Sequence, residues 1–92
     1  MSRTKSLTIT ATPQNIVVLT VCSTVLIKED EAVASWPTAD LVINKGGGDA
    51  DLITRGKSYS FVSPAGQMFR PGTILGTVSV GTGSTTAIQD EQ

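Results

Sequence analysis

The amino-acid sequence predicts an all-β protein, a small antiparallel β-sandwich or barrel of jelly-roll type. Threonine occupies thirteen of the 92 positions, and valine and isoleucine are frequent. These β-branched side chains favour strands. Apolar and polar residues alternate with a period of two in several segments, and no window shows the apolar stripe of a helix. Turn signals recur roughly every eight to twelve residues, a spacing typical of about six to eight short strands in one domain.

The N-terminal half contains two predicted strand regions. The first covers residues 5–11, where Leu7, Ile9 and Ala11 share a face, and Pro13 ends it because proline cannot donate to a sheet. The second is a long strand, or two strands joined by a bulge, over residues 16–28. On its predicted inward face lie Val17, Leu19, Val21, Val25 and Ile27.

The remaining strands are shorter. In one of them Tyr59 and Phe61 point to the same side. These strands are expected at residues 41–44, 51–54, 57–62 and 73–80, the last with Ile74, Gly76, Val78 and Val80 inward. We expect one domain over residues 1–92, with extended N-terminal and C-terminal arms at residues 1–4 and 82–92.

Composition limits the possible functions. The net charge is −1, so no basic excess favours nucleic acid as a partner. No apolar run is long enough to span a membrane as a helix, and no signal peptide is recognised, which predicts synthesis in a cytosol. Cys22 is the single cysteine and histidine is absent, so an internal disulfide is excluded. Small domains without such crosslinks are often stabilised by partner subunits, so we expect an oligomer.

Two stretches could bind a phosphate or a cation. The loop at residues 45–49 has three consecutive glycines, but it lacks the spacing of a nucleotide-binding motif and no helix is predicted after it. We interpret it as a turn. Asp40, Asp49 and Asp51 offer oxygen ligands suited to Ca²⁺, although the full alternating pattern of a calcium loop is missing. Solvated acids are expected, and cation binding at Asp49 and Asp51 stays open.

The sequence offers little for catalysis. Glu29, Asp30, Glu31 and Asp40 could supply a carboxylate pair for glycoside hydrolysis, which also needs a cleft with apolar walls. A core of this size can use all four aromatic residues. Cys22 has no histidine to activate it and lies in an alternating apolar strand, where cysteine packs as a small apolar side chain. We therefore expect no enzymatic activity, no cofactor and no metal, with Cys22 in the core or in an interface.

The predicted arms carry opposite charges, with Arg3 and Lys5 in the N-terminal region and Asp90 and Glu91 near the C-terminus. Exposed ion pairs contribute only about 0–1 kcal/mol, so charge alone does not order a tail. Addition of residues 84–88 to the sheet edge of a neighbouring subunit would do so, because it forms many backbone hydrogen bonds together. The sequence therefore predicts arms that are ordered by other subunits.

The stretches WPTADLVI, GKSYSF and FRPGTILGTVSVGTGST resemble small virion structural proteins of tailed bacteriophages, most of all their capsid decoration, or cement, proteins. The shared features are a short chain rich in threonine, serine, glycine and valine, the absence of histidine, and a polar tail after the last strand. The resemblance implies a compact β domain, often trimeric, on the outer surface of the capsid. It would clamp neighbouring subunits of the major capsid protein without a cofactor.

Contacts to the capsid protein and to other copies of the chain are expected from the arms and from exposed apolar side chains. Trp36 precedes Pro37 in a predicted loop and suits either the core or a partner contact. Two alternatives remain: a tail, neck or fibre component of the same particle, and a carbohydrate-binding β-sandwich, which normally needs a row of exposed aromatic rings. The residues expected to contact a partner are Ser2, Arg3, Lys5, Trp36, Phe69, Arg70, Thr85, Ile88, Asp90 and Glu91.

Overall fold

The computed structural model confirms the all-β class, with two four-stranded antiparallel sheets packed together as a small sandwich. It describes residues 3–29, 41–46, 50–53 and 57–92. Sheet A has the order β1-β8-β3-β6 and sheet B the order β2-β7-β4-β5. The strands are β1 (Arg3–Thr10), β2 (Gln14–Val17), β3 (Thr24–Glu29), β4 (Leu41–Asn44), β5 (Ala50–Ile53), β6 (Ser58–Val62), β7 (Ile74–Val80) and β8 (Ser84–Glu91).

The core lies between the two sheets and is mostly aliphatic. The alternation predicted for β1 is confirmed at Leu7 and Ile9, which are buried while Thr8 between them is exposed, but not at Ala11, which lies beyond the end of the strand and is exposed. Strand β4 has the predicted bounds and buries Leu41 and Ile43. Burial of these side chains is the main favourable contribution to folding. The other buried apolar residues are Ile16, Val18, Cys22, Val25, Ile27, Ile53, Phe61, Val78, Val80 and Ala87.

The region predicted over residues 16–28 as one long strand, or as two strands joined by a bulge, does contain two strands, but a connection between the sheets joins them instead of a bulge. The two strands are β2 and β3, and residues 18–23 cross from one sheet to the other. The reason lies in the phase of the alternation: even-numbered Ile16 and Val18 are buried in the first part, and odd-numbered Val25 and Ile27 in the second. A strand cannot change phase without a break, because successive side chains alternate between its faces. Val21 lies within the break and is 55% exposed.

The C-terminal arm predicted over residues 82–92 is also corrected. Ser84–Glu91 form β8, which lies between β1 and β3 and pairs with both of them. The backbone hydrogen bonds that we assigned to a neighbouring subunit are therefore made within the chain. At the other end of the chain, Arg3 and Thr4 belong to β1, which is an edge strand of sheet A.

Strand β7 differs from its prediction at one end. Val78 and Val80 face the core as expected, whereas Ile74 is 58% exposed, because the register between β2 and β7 shifts at Ile16/Val17. Gly76 is required in this strand: a Cβ atom there would collide with the backbone carbonyl oxygen of Asn44 in β4. Even alanine at this position would force the two strands apart.

Two connections close the same end of the sandwich, which we call the crossover end. The first crossover, residues 18–23, joins β2 to β3, and the second, residues 63–73, joins β6 to β7. They run in opposite directions between the sheets and form backbone hydrogen bonds with each other. The crossover end is therefore held by main-chain bonds rather than by side chains alone.

Candidate functional site

The frame of the candidate site is the pairing of the two crossovers. Cys22 and Phe69 form a reciprocal antiparallel bridge, with N···O distances of 3.3 Å and 2.7 Å. Val18 donates to the carbonyl of Thr73 at 2.9 Å and accepts from Gly72 at 2.8 Å. These bonds give partners to backbone N–H and C=O groups that would otherwise need water or another group, and they fix the two crossovers relative to each other.

Two buried polar side chains of β8 hold the first crossover and the end of β2 that leads into it from inside the sandwich. One Glu91 carboxylate oxygen, Oε2, accepts a hydrogen bond from the backbone N–H of Leu19 at 2.8 Å. The Gln89 side-chain amide donates to the carbonyl of Val17 at 2.8 Å. Both side chains are almost fully buried, at 0% and 1% exposure. The C-terminal strand therefore positions the segment that displays Val21.

Cys22 lies in the core, which is one of its two predicted locations. Its Sγ is 3.8 Å from Glu91 Oε2, and the thiol is placed to donate to that carboxylate. Burial raises the pKa of the Cys22 thiol above its ordinary value, and the charge and hydrogen bond of Glu91 raise it further. The thiol is therefore kept in its neutral, weakly nucleophilic form.

The outer surface of the crossover end bears an apolar pair. Val21 of the first crossover and Met68 of the second are 55% and 52% exposed. They line an open groove of about 470 Å³ together with Gly66, Gln67 and Arg70. Gly66 has a positive φ of 78°, a conformation that other residues adopt only with strain, so its turn supports the shape of the groove.

Positive charge accompanies this apolar pair. Arg70 lines the groove and is exposed, and Arg3 is exposed at the start of β1, paired in register with Glu91. Within the described ranges, neither guanidinium has a carboxylate within 4.0 Å. Among the described residues that line the groove, none is acidic. The lining of the groove therefore combines exposed apolar side chains with an available cation.

The residues predicted to contact a partner fall into different environments. Arg3, Lys5 and Arg70 are exposed, and Phe69 is half-buried against the core. Ile88 and Asp90 are half-buried in β8, where Asp90 accepts a hydrogen bond from the Thr4 hydroxyl at 3.1 Å. Ser2 and Trp36 lie outside the described residues.

The prediction is corrected for Thr85 and Glu91. Both are buried inside the sandwich, because odd-numbered residues of β8 face sheet B, so a partner does not reach them in the folded chain. Sequence reasoning also missed Gln89, Val21 and Met68. The change of phase after Val18 was the signal that could have placed Val21 in a connection.

A second polar cluster lies at the edges of β5 and β6. The Tyr59 hydroxyl donates to Asp51 Oδ2 at 2.6 Å, and Lys45 Nζ is 3.5 Å from the same oxygen. The hydrogen bond from Tyr59 lowers the pKa of Asp51 below its ordinary value of 3.8, and Lys45 lowers it further. Tyr59, followed by Asp51, raises the pKa of Lys45. This cluster links the two sheets across their edges.

The cluster bears on two earlier hypotheses. Asp51 already binds Tyr59 and Lys45, while its proposed calcium partners Asp40 and Asp49 are outside the described residues. In the part of the chain that the structure describes, no three potential metal ligands lie together. The rings of Tyr59 and Phe61 pack edge to face at 5.1 Å on the inward side, as predicted, so they do not form an exposed row.

The remaining acids proposed for catalysis lie outside this picture. Asp30, Glu31 and Asp40 are not among the described residues, nor is the side chain of Glu29. Residues 47–49 of the glycine loop are not described either. Where the structure describes the chain, it contains no helix with the length and apolar character needed to cross a membrane.

The crossover end is thus the candidate site: a main-chain frame, a buried polar support from β8, and an apolar groove with one arginine. It presents exposed apolar and cationic side chains that another molecule can contact. Compared with models of protein families, with curated proteins and with solved structures, the chain matches none of them.

Proposed function

We propose that this protein is a non-enzymatic virion structural protein that binds and stabilises a capsid shell, in the manner of a decoration or cement protein. Its partners are the major capsid protein and further copies of itself, assembled as a trimer on the capsid surface. The protein is made in the cytoplasm of a bacterial host and acts on the virion. The sequence resemblance and the crossover end support this proposal together.

One observation carries the proposal: Val21 and Met68 are each about half exposed on segments whose backbones are bonded to each other. Exposed apolar pairs are common anchors of protein contacts, particularly where a polar rim surrounds them. A rigid frame lowers the entropy lost on binding, because the contact residues are already in place. Such a surface is suited to a permanent contact.

The proposed mechanism is physical. A protein that contacts several capsid subunits at once gains from multivalency, because each later contact forms at a high effective concentration. Ligands that bind only the assembled state stabilise that state by mass action. No reaction and no cofactor enter this mechanism.

The test uses empty capsids assembled from the major capsid protein of the bacteriophage that, on this proposal, encodes the chain. We expect the wild-type protein to co-sediment with them, and the double variant Val21→Ser/Met68→Ser to bind at least tenfold more weakly. The matched control is Leu52→Ser, which changes an apolar side chain of similar exposure (64%) in β5, away from the crossover end. The control should bind within twofold of wild type.

Two results would contradict the proposal. One is that the wild-type protein stays in the supernatant when the capsids sediment. The other is a monomer at all concentrations in analytical ultracentrifugation, which would remove the trimer. A copy number of about six to twelve per virion, instead of sixty or more, would favour the alternative of a tail, neck or fibre component. The carbohydrate-binding alternative gains no support from Tyr59 and Phe61, which pack against each other.

A further inference from the structure

We infer that the groove at the crossover end binds an extended segment of its partner in which an apolar side chain is flanked by a carboxylate. The inference rests on the proposed function and names the chemistry of the contact. It follows from the lining of the groove, which includes two exposed apolar side chains and one exposed arginine.

The apolar half of the ligand is set by Val21 and Met68. Both side chains are half exposed and line the same groove of about 470 Å³. Pockets of roughly 300–1,000 Å³ hold small ligands or a short stretch of chain, not a folded domain. Methionine adapts its shape to the side chain it meets, so the groove accepts an aliphatic residue of variable form.

The charged half of the ligand is set by Arg70. Its exposed guanidinium has no carboxylate within 4.0 Å in the described ranges, and the other described residues that line the groove are uncharged. A guanidinium binds a carboxylate through two parallel hydrogen bonds, which a lysine or an amide cannot reproduce. A basic segment is disfavoured by repulsion from Arg70, and from Arg3 at the same end of the sandwich.

The paired backbones of the two crossovers make this groove selective between ligand side chains, because they hold the groove in one shape. The Cys22–Phe69 bridge fixes Val21 and Met68, each adjacent to one of the bridged residues. From the inside, Glu91 holds Leu19. Little backbone ordering is needed when a ligand enters, so binding depends on the match of side chains.

The experiment is a titration of the ¹⁵N-labelled full chain with two capped heptapeptides. One has a central leucine between two aspartates; the other has asparagines in their place and is otherwise identical. With peptide added to about 10 mM, we expect chemical-shift changes in residues 18–23 and 63–73 from the aspartate peptide. We expect the asparagine peptide to bind at least fivefold more weakly.

Variants assign the two halves of the contact. Arg70→Gln should reduce the affinity for the aspartate peptide to that for the asparagine peptide. Lys57→Gln, which removes an exposed cation just before β6 at the opposite end of the sandwich, should leave it unchanged. Met68→Ala should weaken both peptides equally. Equal binding of the two peptides to wild type, shift changes elsewhere, or no changes in the groove would each overturn the inference.

Capsid binding separates this inference from the proposed function. If wild type co-sediments with capsids and Arg70→Gln does so equally well, the inference fails and the proposed function stands. If wild type ignores capsids but discriminates between the peptides as expected, the proposed function fails and the inference about the groove stands. Thermal unfolding of each variant confirms that it is folded.

Discussion

Strands β4 and β8 both lie in the interior of their sheets, yet they fill their core-facing positions differently. In β4 these positions are Leu41 and Ile43, both fully buried. In β8 they include Gln89 and Glu91, which are buried as deeply. The difference comes from what each strand faces. Strand β4 faces side chains, whereas the end of β8 faces the backbone where β2 passes into the first crossover, and there the Val17 C=O and the Leu19 N–H need partners.

The comparison teaches that burial alone does not select an apolar residue. A buried polar side chain is retained where it satisfies a backbone group that would otherwise be left without a partner. Not every buried polar atom of β8 is hydrogen-bonded: Glu91 Oε1 and Thr85 Oγ1 have no hydrogen-bond partner within the described part of the chain. Strand β8 therefore contributes order to the crossover end at some cost in stability.

The largest expected effect is in β4. We expect Leu41→Ala to lower the free energy of unfolding by about 2–5 kcal/mol, because it leaves a cavity at a fully buried position. Denaturant titration measures this loss. The matched control is Leu52→Ala in the adjacent β5, where the side chain is 64% exposed, and its effect should be within about 0.5 kcal/mol. Similar losses in both variants would contradict the core assigned here.

An intermediate effect is expected in β8. Glu91→Ala removes the acceptor for the Leu19 N–H, so we expect a loss of about 1–3 kcal/mol. Glu91→Gln keeps an acceptor oxygen and nearly the same volume, and should lose less. Cys22 should react faster with a thiol reagent in the alanine variant, since Glu91 contributes to the raised pKa and the crossover opens more often. An unchanged labelling rate would argue against the support from β8.

The smallest effect is expected outside the core, at Asp51. Its pKa is lower in the folded chain than its ordinary value of 3.8, so the contact with Tyr59 stabilises the protein above that pH and is lost as the pH falls through the folded pKa. Tyr59→Phe should therefore lower the Tm more at about pH 6 than at about pH 2.5. In an Asp51→Asn background this pH dependence should vanish. A constant Tm difference at both pH values would contradict the assignment.

Sequence alternation predicted those parts of the fold in which one face meets aliphatic side chains. The bounds of β4, the inward face of β1 and the shared side of Tyr59 and Phe61 followed from period-two patterns. Strand β8 was missed because its inward residues are polar apart from the small Ala87, so its pattern resembles that of a solvated tail. Hydropathy reports the chemistry of a side chain, not that of the group it will face.

The candidate site was predicted only in part. Phe69 and Arg70 were expected at a contact surface, and the structure places both at the crossover end. Val21 was assigned to the core because the pattern was interpreted as continuing through it. The chain changes sheet after β2, and that change cannot be predicted without knowing which strands pair. The role of these residues in binding a capsid stays a prediction.

The central place of β8 affects how the chain reaches its structure. Strand β1 leaves the ribosome before the other described strands, but among them its only neighbour in sheet A is β8, which is made more than seventy residues later. Strand β3 likewise gains its second neighbour only then. Sheet A is therefore completed after synthesis has passed residue 91, and folding depends on contacts distant in sequence, which form slowly. During translation the early strands expose unpaired edges, so a chaperone that shields them would raise the yield of folded protein.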